Sequence, residues 1–506
     1  MRKYIYIIFI ALTFSSTGCK KFLNIVPTDN LSGNNFWQTK KDVEGFTNGL
    51  YASLKNKLSG GFITLADMRS SPIATTEGTY GNLLATNSLR TLQTIAATPT
   101  QWNGSAYVSQ WTVGWNWSNM TRWKPFYDII SSANLLYERL DDVPTGVLSN
   151  EELKRYKAEA VFVRNLCYLF LVRLYGDVPY YTNALNTSPL GRTPMLEVLN
   201  KCIADVNAVK ADLPWVYIDP SLIGVRAMRG GAIALLMHLN MWAAGFDSEN
   251  NKVRYYNQVK DLGIEIDNAK DYSLLPYTVE DNKRIFKGKT RESLFELYQS
   301  FNNGEKFSVY SNVGYVLSHY PYLGALTFTT SRGYYQKTWM DKLYNDALPD
   351  ARKDLWFENR TANNNTFQFK KFANVYVSGT TVQNDDDLII FRLSDAYLLA
   401  AEANAEIGDD VEAKRFLNKV RQRAVATDIV STGVELKKDI YLERVRELMG
   451  EGHYYYDLVR TKKLCDPDFC PYPVSVAAFN AGAWTWPIDQ SALTENPNMT
   501  LNNYWR

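Results

Sequence analysis

The sequence predicts a mainly α-helical protein, a bundle of helix pairs that carries two long loop-rich excursions and a few short strands. Three observations predict this class. Apolar residues recur with helical spacing in many segments of the 506-residue chain. Residues 391–424 read as two helices that meet at a single glycine. Residues 60–121 and 300–385 lose the helical period and are rich in Gly, Asn, Trp and Tyr, and such long irregular segments inside a folded protein are usually functional.

The composition is that of an ordinary folded protein and excludes several functional classes. Apolar residues make up 46% of the chain and charged residues 21%, which argues against disorder. The net charge is only +2 and there is no long basic run, so we expect no nucleic-acid partner. The three histidines, His238, His319 and His453, are widely separated, which disfavours a multi-histidine metal centre.

The N-terminal stretch MRKYIYIIFIALTFSSTGC is typical of a secretory signal peptide over residues 1–18. Arg2 and Lys3 precede an apolar run from Tyr4 to Phe14, and small residues follow. SSTGC resembles a bacterial lipobox, so Cys19 is the predicted lipid attachment site at the start of the mature chain, residues 19–506. An ordinary cleavage site with an incidental cysteine is the alternative. No later stretch has the roughly 18 apolar residues of a membrane span, so the lipid is the expected anchor.

The first helix is predicted over residues 36–58. Val43, Phe46, Leu50 and Leu54 share one face, and Thr39 is a plausible N-cap with an acidic residue three positions on. Helical spacing resumes after the first excursion in WKPFYDIISSANLLYERLDDV. These two segments are predicted to be amphipathic helices on the bundle.

The central helices are predicted to be buried. EELKRYKAEAVFVRNLCYLFLVRLYGDVPYY is apolar on nearly every side over residues 161–174, and Gly176 and Pro179 supply its stop signal. RAMRGGAIALLMHLNMWAAGF is a further predicted helix, and SLFELY, residues 293–298, is a predicted short strand. Cys167 and Cys202 lie inside these helical patterns and are expected to be small buried residues.

The clearest internal unit is FRLSDAYLLAAEANAEIGDDVEAKRFLNKVRQRA. Its two helices meet at Gly408, Asp409 can N-cap the second helix, and Glu412 can close a capping box. Alanines on the first helix let the backbones approach closely. A helix pair of about 34 residues with small residues at its crossing matches the tetratricopeptide unit.

Five segments, in chain order, resemble the SusD/RagB family of outer-membrane nutrient-binding lipoproteins. They are CKKFLNIVP, AEAVFVRNLCYLFLVRLYGDVPY, the helix pair 391–424, DIYLERVRELMGEGHYYYDLVR and TWPIDQSALTENPNMTLNNYW. Three details depart from the family pattern. Tyr454 replaces the usual Arg after Gly-His, Asp489 replaces the second Pro of Pro-Ile-Pro, and Lys20 and Lys21 replace the acidic residues that often mark surface export.

The resemblance implies a SusD-like fold, with an N-terminal half of about residues 19–220 and a C-terminal half of about residues 280–506 forming one compact unit. It implies a receptor without catalytic activity or cofactor that binds an oligosaccharide or a peptide. The implied location is the outer membrane, with the protein lipid-anchored and facing outward. The implied partner is a SusC-like TonB-dependent transporter barrel.

The ligand is predicted to lie between the two excursions. Tryptophans with polar, aperiodic neighbours are concentrated in QWNGSAYVSQWTVGWNWSNMTRW, which holds five of the 13 tryptophans. A pyranose ring offers an apolar face that stacks on an aromatic ring and hydroxyls that need polar partners. The predicted stacking residues are Trp102, Trp111, Trp115, Tyr315, Tyr320 and Tyr322, and the predicted polar contacts are Asp67, Arg69 and Asn103. The alternative is that these aromatic residues pack the loops onto the helices.

Two tryptophans of the same stretch are interpreted differently. Trp123 begins a helical run and is expected to pack in the core, and Trp117 is ambiguous. Glu443, Arg444, Arg446 and Glu447 lie on one helix and are expected to form inter-helix ion pairs.

Catalysis and metal binding are the weaker hypotheses. Residues 385–387 are consecutive aspartates without the alternating spacing of a calcium loop, so no metal ligand is predicted. The sequence contains no nucleophile elbow, phosphate loop or zinc-helix motif, so no catalytic residue is predicted. A glycosidase carboxylate pair and a pure protein-interaction scaffold stay open as alternatives. A disulfide between Cys465 and Cys470 and two free thiols are also both open.

Overall fold

The computed structural model describes residues 36–59, 61, 66–75, 79–97, 117–186, 188–305 and 314–506. The helices are α1 (Lys40–Leu58), α2 (Thr79–Ala85), α3 (Leu89–Ala97), α4 (Lys124–Arg139), α5 (Asn150–Tyr175), α6 (Met195–Val209), α7 (Arg229–Phe246), α8 (Glu249–Asp267), α9 (Val279–Lys287), α10 (Gly314–Leu317), α11 (Lys337–Leu343), α12 (Arg352–Leu355), α13 (Leu393–Glu406), α14 (Asp410–Arg423), α15 (Gly433–Glu447), α16 (Tyr454–Arg460), α17 (Val476–Asn480) and α18 (Gln490–Thr494). The strands are β1 (Ile73–Thr75), β2 (Ser293–Leu297), β3 (Gly324–Ala325), β4 (Gly333–Tyr335), β5 (Phe357–Glu358), β6 (Gln368–Phe369), β7 (Val375–Ser378), β8 (Thr381–Asn384) and β9 (Leu388–Arg392).

The prediction of a mainly α-helical fold is confirmed, and α1 shows why the local pattern was sufficient. The Thr39 hydroxyl accepts from the Asp42 backbone N–H while the Asp42 carboxylate accepts from the Thr39 N–H, so the capping box is complete. Val43, Leu50 and Leu54 are buried on the predicted face. Capping and amphipathic burial together place this helix on the bundle.

The core consists of helices that pack against one another in pairs. Helix α4 packs on α5, α7 on α8, and α13 on both α8 and α14. Every residue of α5 from Ala158 to its end is buried, as its apolar circumference predicts. A Cβ atom on Gly263 of α8 would lie 2.6 Å from the Ala400 Cβ of α13, so these two helices approach too closely for a larger side chain at either position. Small residues at the crossings therefore join the helix pairs into one array.

The predicted helix pair of residues 391–424 is confirmed as α13 and α14. The Asp409 carboxylate accepts from the Glu412 N–H at 3.2 Å and caps α14. The reciprocal half of the capping box is not formed, because the Glu412 carboxylate pairs with Arg415 at 2.9 Å. The predicted capping residue, Asp409, is therefore confirmed, but the predicted capping box is only half formed.

Buried ion pairs hold this array to the C-terminal helices, as predicted for the charged face of α15. Glu443 pairs with Arg352 at 2.8 Å, and Arg444 pairs with Asp395 of α13 at 3.0 Å. Burial alone would raise the pKa of Glu443, but the charges of Arg352, Arg446 and Arg421 lower it to about 2. These side chains act in the scaffold.

The excursions contain more regular structure than the sequence predicts. In the first excursion the structure places β1, α2 and α3, where no element was predicted. Helices α2 and α3 have seven and nine residues, too few for a helical period to stand out in this Gly- and Thr-rich segment. The second excursion is built from short strands and short helices, and the predicted strand within SLFELY is confirmed as β2, which pairs antiparallel with β9.

Cys167 and Cys202 are buried, as predicted, and Cys465 and Cys470 are free thiols in the structure. The Cys470 sulfur lies 3.8 Å from the Ser70 carbonyl oxygen. Among the residues that the structure describes, no helix has the length and apolar character needed to cross a membrane.

Candidate functional site

The two excursions are joined by a small antiparallel sheet. Strand β1, from the first excursion, pairs with β4, from the second, with Ile73 opposite Tyr335 and Thr75 opposite Gly333. The Gln336 N–H extends the pairing by donating to the Pro72 carbonyl at 2.9 Å. We use the name seam for β1, β4, helix α10 and the turn of residues 318–323. The pairing shows that the predicted neighbourhood of the two excursions is real.

Gly333 allows the three segments of the seam to meet. A Cβ atom at this position would lie 2.8 Å from the Ala74 carbonyl oxygen of β1 and 2.9 Å from the Val316 side chain of α10. The backbone N–H of Arg332 donates to the Val316 carbonyl at 2.9 Å. Helix α10, which carries Tyr315, is therefore held directly against β4.

The turn of residues 318–323 is held in place by hydrogen bonds to the Gln368 side chain of β6. The Gln368 side-chain oxygen accepts from the His319 N–H at 2.7 Å, and its amide group donates to the His319 carbonyl at 3.0 Å. The same carbonyl also accepts from the backbone N–H groups of Tyr322 and Leu323, and Gln368 is fully buried. The turn is thus fixed by a buried amide, as a rigid support for surface aromatics requires.

Tyr320 and Tyr322 are both partly buried, so each ring is supported by the protein and still reaches solvent. Burial, and to a smaller extent the charge of Glu358, raises the pKa of Tyr322. The His319 Nδ1–H donates to the Tyr320 carbonyl at 2.7 Å, and in this tautomer Nε2 is the acceptor nitrogen of the ring. His319 was not among the predicted site residues, although it directly precedes the predicted Tyr320.

The seam brings part of the predicted stacking set together. Tyr315 lies on α10, and Tyr320 and Tyr322 lie on the adjoining turn. Trp102, Asn103, Trp111 and Trp115 lie outside the described residues. For the described part, the predicted tyrosines share one region of the molecule, although they come from different local elements.

Asp67 and Arg69, which were predicted to contact the ligand, are buried in the structure. Their exposed fractions are 2% and 1%. Asp67 accepts from the Gly452 N–H at 2.7 Å, and the Arg69 guanidinium donates to the carbonyls of Ala483 at 2.7 Å and Trp484 at 2.8 Å. Neither side chain reaches the surface in this conformation. Both pin the chain just before β1 to the C-terminal scaffold, and so they position the seam.

Trp123 packs in the core, as predicted, and is 6% exposed. Its ring forms edge contacts with Tyr127 at 5.6 Å and Tyr175 at 5.7 Å between centroids. Trp117, which the sequence left ambiguous, is partly buried and packs against Trp486 and Trp505. The end of the tryptophan-rich stretch is therefore packed, at least over the part that the structure describes.

His238, Asp395 and His453 form a buried group that sequence separation concealed. Arg173 donates to His238 Nδ1 at 2.8 Å, and since arginine can only donate, His238 Nε2 carries the proton that it shares with Asp395 at 2.7 Å. Burial lowers the pKa of His238 to about 3, which agrees with a neutral ring. Both nitrogens of His238 are thus committed to hydrogen bonds, and Arg173, His238 and Asp395 form a hydrogen-bonded chain within the scaffold.

The three consecutive aspartates are likewise engaged within the protein. Asp385 accepts from the Phe301 N–H at 2.9 Å, Asp386 from the Asn374 N–H at 3.1 Å, and Asp387 from the Gln299 N–H at 2.8 Å. Burial raises the pKa of Asp386 to about 7 and that of Asp387 to about 9. The side chains tie the β8–β9 connection to its neighbours.

These features define a class of protein, a tetratricopeptide-like helical scaffold that holds two joined excursions. Two family models match this chain. The model described as "SusD family" matches residues 248–505, and the model described as "Starch-binding associating with outer membrane" matches residues 40–239. The chain belongs to the SusD family.

Individual relatives extend over nearly the whole chain. A solved SusD homolog from Bacteroides thetaiotaomicron is 38% identical, with a TM-score of 0.82, covering 93% of this chain and 100% of that one. A SusD-like protein from Formosa agariphila is 28% identical over 91% of this chain and 90% of its own. A structure named as a laminarin-binding SusD-like protein shares the fold at 19% identity, with a TM-score of 0.68 and coverage of 92% and 99%.

Proposed function

We propose that this protein is a glycan receptor that captures an oligosaccharide at the seam and does not degrade it. The observation that carries the proposal is the β1–β4 pairing, which joins residues 73–75 of the first excursion to residues 333–335 of the second. Relatives support the class of ligand. One solved SusD-like protein is named as laminarin-binding, and another, from Bacteroides uniformis, as a surface glycan-binding protein.

The chemistry of the seam suits a neutral sugar. Tyr320 and Tyr322 offer ring faces on a turn that Gln368 holds in place. Sugar C–H faces stack on such rings, and hydroxyls can donate to an acceptor such as His319 Nε2. We include Tyr315, Trp102, Trp111, Trp115 and Asn103 in the proposed site, and we assign Asp67 and Arg69 to its support.

A panel of oligosaccharides, measured by isothermal titration calorimetry, tests the proposal. Replacing one platform, by Tyr320→Ala, Tyr322→Ala, Trp102→Ala or Trp111→Ala, should weaken binding about tenfold, because stacking contributes about 0.5–1.5 kcal/mol beyond the lost apolar area. The matched control is Tyr376→Ala. Tyr376 is 41% exposed and stacks on Phe301. It lies on β7, in the β3–β8–β7 sheet and not in the seam, so its removal should leave affinity unchanged. Full affinity in all four platform variants would place the site elsewhere.

The same panel separates a receptor from the alternative classes. Chromatography of the incubated sugars should recover them intact, and turnover would favour a glycoside hydrolase. Binding of peptides in place of every sugar would favour the peptide receptor. Binding of neither class would favour a protein-interaction scaffold.

We propose further that the protein is attached to the outer membrane through a lipid on Cys19 and faces outward. Support comes from the SSTGC sequence and from the family description, which includes association with the outer membrane. Cys19 lies outside the described residues. Cys19→Ala should move the protein from the membrane fraction to the soluble fraction of fractionated cells. Unchanged membrane association would reject lipid anchoring.

The proposed partner is a SusC-like TonB-dependent barrel, to which the receptor delivers its ligand. Membership of the SusD family supports this partner. Affinity purification of the tagged protein from outer membranes in mild detergent should recover a barrel protein of this kind. Repeated recovery of the receptor alone would count against the partnership.

A further inference from the structure

A second groove lies away from the seam, where the C-terminal ends of α5 and α7 meet the last segment of the chain. Its volume is about 470 Å³. The side chains that matter are Asp177, Arg192, Phe246, Lys462, Phe479 and Arg506, and none of them belongs to the seam. We call it the basic groove, because three of these six side chains are basic and one is acidic.

Lys462 is held in the basic groove by aromatic rings. Its ammonium nitrogen lies 3.8 Å from the Phe246 centroid and 4.5 Å from the Phe479 centroid. Among the described residues, no carboxylate forms an ion pair with it, and the charges that act on it are those of Cys465 and Lys252. Lys462 also has a left-handed backbone, with φ of 60°, which is uncommon for a residue other than glycine. The aromatic contacts position the charge without neutralising it.

Arg192 contributes a second cation that forms no direct ion pair among the described residues, although the nearby charge of Asp177 opposes the lowering of its pKa by burial. Its Nε donates to the Thr500 carbonyl at 2.8 Å, and its Nη1 donates to the carbonyls of Tyr175 at 3.1 Å and Asp177 at 2.6 Å. All three acceptors are neutral, and Nη2 has no partner among the described residues. The guanidinium is fixed in direction and keeps one edge for a further acceptor.

Arg506 completes the basic set at the exposed edge, where its Nε donates to the Leu501 carbonyl at 3.0 Å. Several arginines inside the scaffold, by contrast, are paired with carboxylates. Arg392 and Arg444, for example, are each paired with at least two carboxylates. Around this one groove, in the described part of the chain, three basic side chains have no carboxylate partner within 4.0 Å.

We propose that the basic groove binds an acidic oligosaccharide, a sugar that carries a carboxylate or sulfate. The oxyanion would accept charged hydrogen bonds from Lys462 and Arg192, with Arg506 at the rim. The partly buried ring of Phe246 adds apolar surface, and the exposed side chains of Asn480 and Asn503, which also line the groove, can bond to sugar hydroxyls. Phe479 is 4% exposed and serves to hold Lys462. This site is separate from the seam and does not rest on the function proposed for it.

Calorimetry with tetragalacturonate as the acidic probe and maltotetraose as the neutral probe tests the groove. Lys462→Gln and Arg506→Gln should each weaken tetragalacturonate binding about fivefold, the range of one exposed ion pair, and leave maltotetraose binding unchanged. Lys462→Arg should keep the affinity because it keeps the charge. High salt should weaken the acidic probe alone, since exposed charges are screened.

The control is Lys438→Gln, which removes the same charge from an exposed face of α15, where Lys438 pairs with Glu435 at 3.2 Å. It should leave tetragalacturonate binding intact. An equal loss in this control would assign the effect to overall charge and overturn the proposal. Failure of tetragalacturonate, glucose 6-sulfate and inorganic phosphate to bind the wild-type protein would also overturn it. Loss of acidic-sugar binding in Tyr322→Ala, with none in Lys462→Gln, would place that ligand at the seam instead.

Discussion

Trp123 lies at the start of α4 with its ring between those of Tyr127 and Tyr175. Because only 6% of it is exposed, Trp123→Ala should leave a core cavity and lower the free energy of unfolding by about 3–5 kcal/mol. Denaturant titration measures this loss, and sugar affinity should not change. Trp102→Ala and Trp111→Ala should show the reverse, with weaker binding and unchanged stability. If those two variants lose stability and keep full affinity, the tryptophans are packing residues.

The buried carboxyl group of Asp67 predicts that the stability of the fold depends on pH. Burial raises the pKa of its carboxyl to about 8, against an unfolded value near 3.8. The folded state therefore holds the proton more tightly, so this contribution to stability is complete below about pH 4 and is lost as the pH rises to about 8. Asp67→Asn keeps an acceptor for the Gly452 N–H and does not titrate. Its stability relative to wild type should rise across this window by a few kcal/mol as an order of magnitude.

Equilibrium unfolding of both proteins at a series of pH values measures that difference. Titrations elsewhere in the chain affect both proteins alike and cancel. A difference that does not vary between pH 4 and 9 would mean that Asp67 is charged in the folded protein, with solvent or a cation beside it.

At the scale of elements, Gly333 predicts how the seam depends on close approach. Gly333→Ala places a methyl group 2.8 Å from the Ala74 carbonyl and 2.9 Å from the Val316 side chain, so β1 and α10 must move apart. We expect oligosaccharide affinity to fall about tenfold or more, because displaced platforms no longer meet the sugar together. Calorimetry with the best ligand from the panel measures it.

The matched control for Gly333→Ala is Gly49→Ala in α1. Nothing lies within 4 Å of the Cβ position of Gly49, which is an exposed helical residue. This substitution should raise the free energy of unfolding by about 0.5–1 kcal/mol, since alanine is the better helix former, and leave affinity unchanged. Equal affinity in the Gly333→Ala and wild-type proteins would show that the seam does not position the ligand.

At the scale of the whole molecule, Arg392 connects β9 to α15 through buried charges. Its guanidinium is 2.7 Å from Glu447, 2.9 Å from Glu292 and 2.7 Å from Glu451, and it is 1% exposed. Arg392→Met leaves those carboxylates with too little positive charge, which should cost about 3–5 kcal/mol of stability.

Denaturant titration checks the Arg392→Met prediction, with the exposed Lys438→Gln as a control that should stay within about 0.5 kcal/mol of wild type. The loss should shrink at low pH, because protonation removes the unpaired negative charges. A stable Arg392→Met protein would show that Lys371 and Arg423, which also contact this group, are sufficient for it.

Sequence alone determined the class of fold, the principal helices and several of their caps. The Thr39 cap, the burial of α5 and the turn at Gly408 each depend on residues within a few turns of one another, so they leave a periodic trace. Helices α2 and α3 were not predicted because they are too short to show a helical period. The concentration of aromatic residues with polar, aperiodic neighbours in the two excursions predicted the region of the site, which stays a prediction.

Only the tertiary structure decided which of the predicted polar residues are buried. Asp67 and Arg69 look like ligand contacts in sequence, but Arg69 meets Trp484 and Asp67 meets Gly452, partners that lie hundreds of residues away. Long-range packing likewise sets the β1–β4 pairing, the hydrogen bond between His238 and Asp395, and the free thiols of Cys465 and Cys470. Local spacing reports the face that a residue takes on its own element, whereas the partner across that face is chosen by how the whole chain packs.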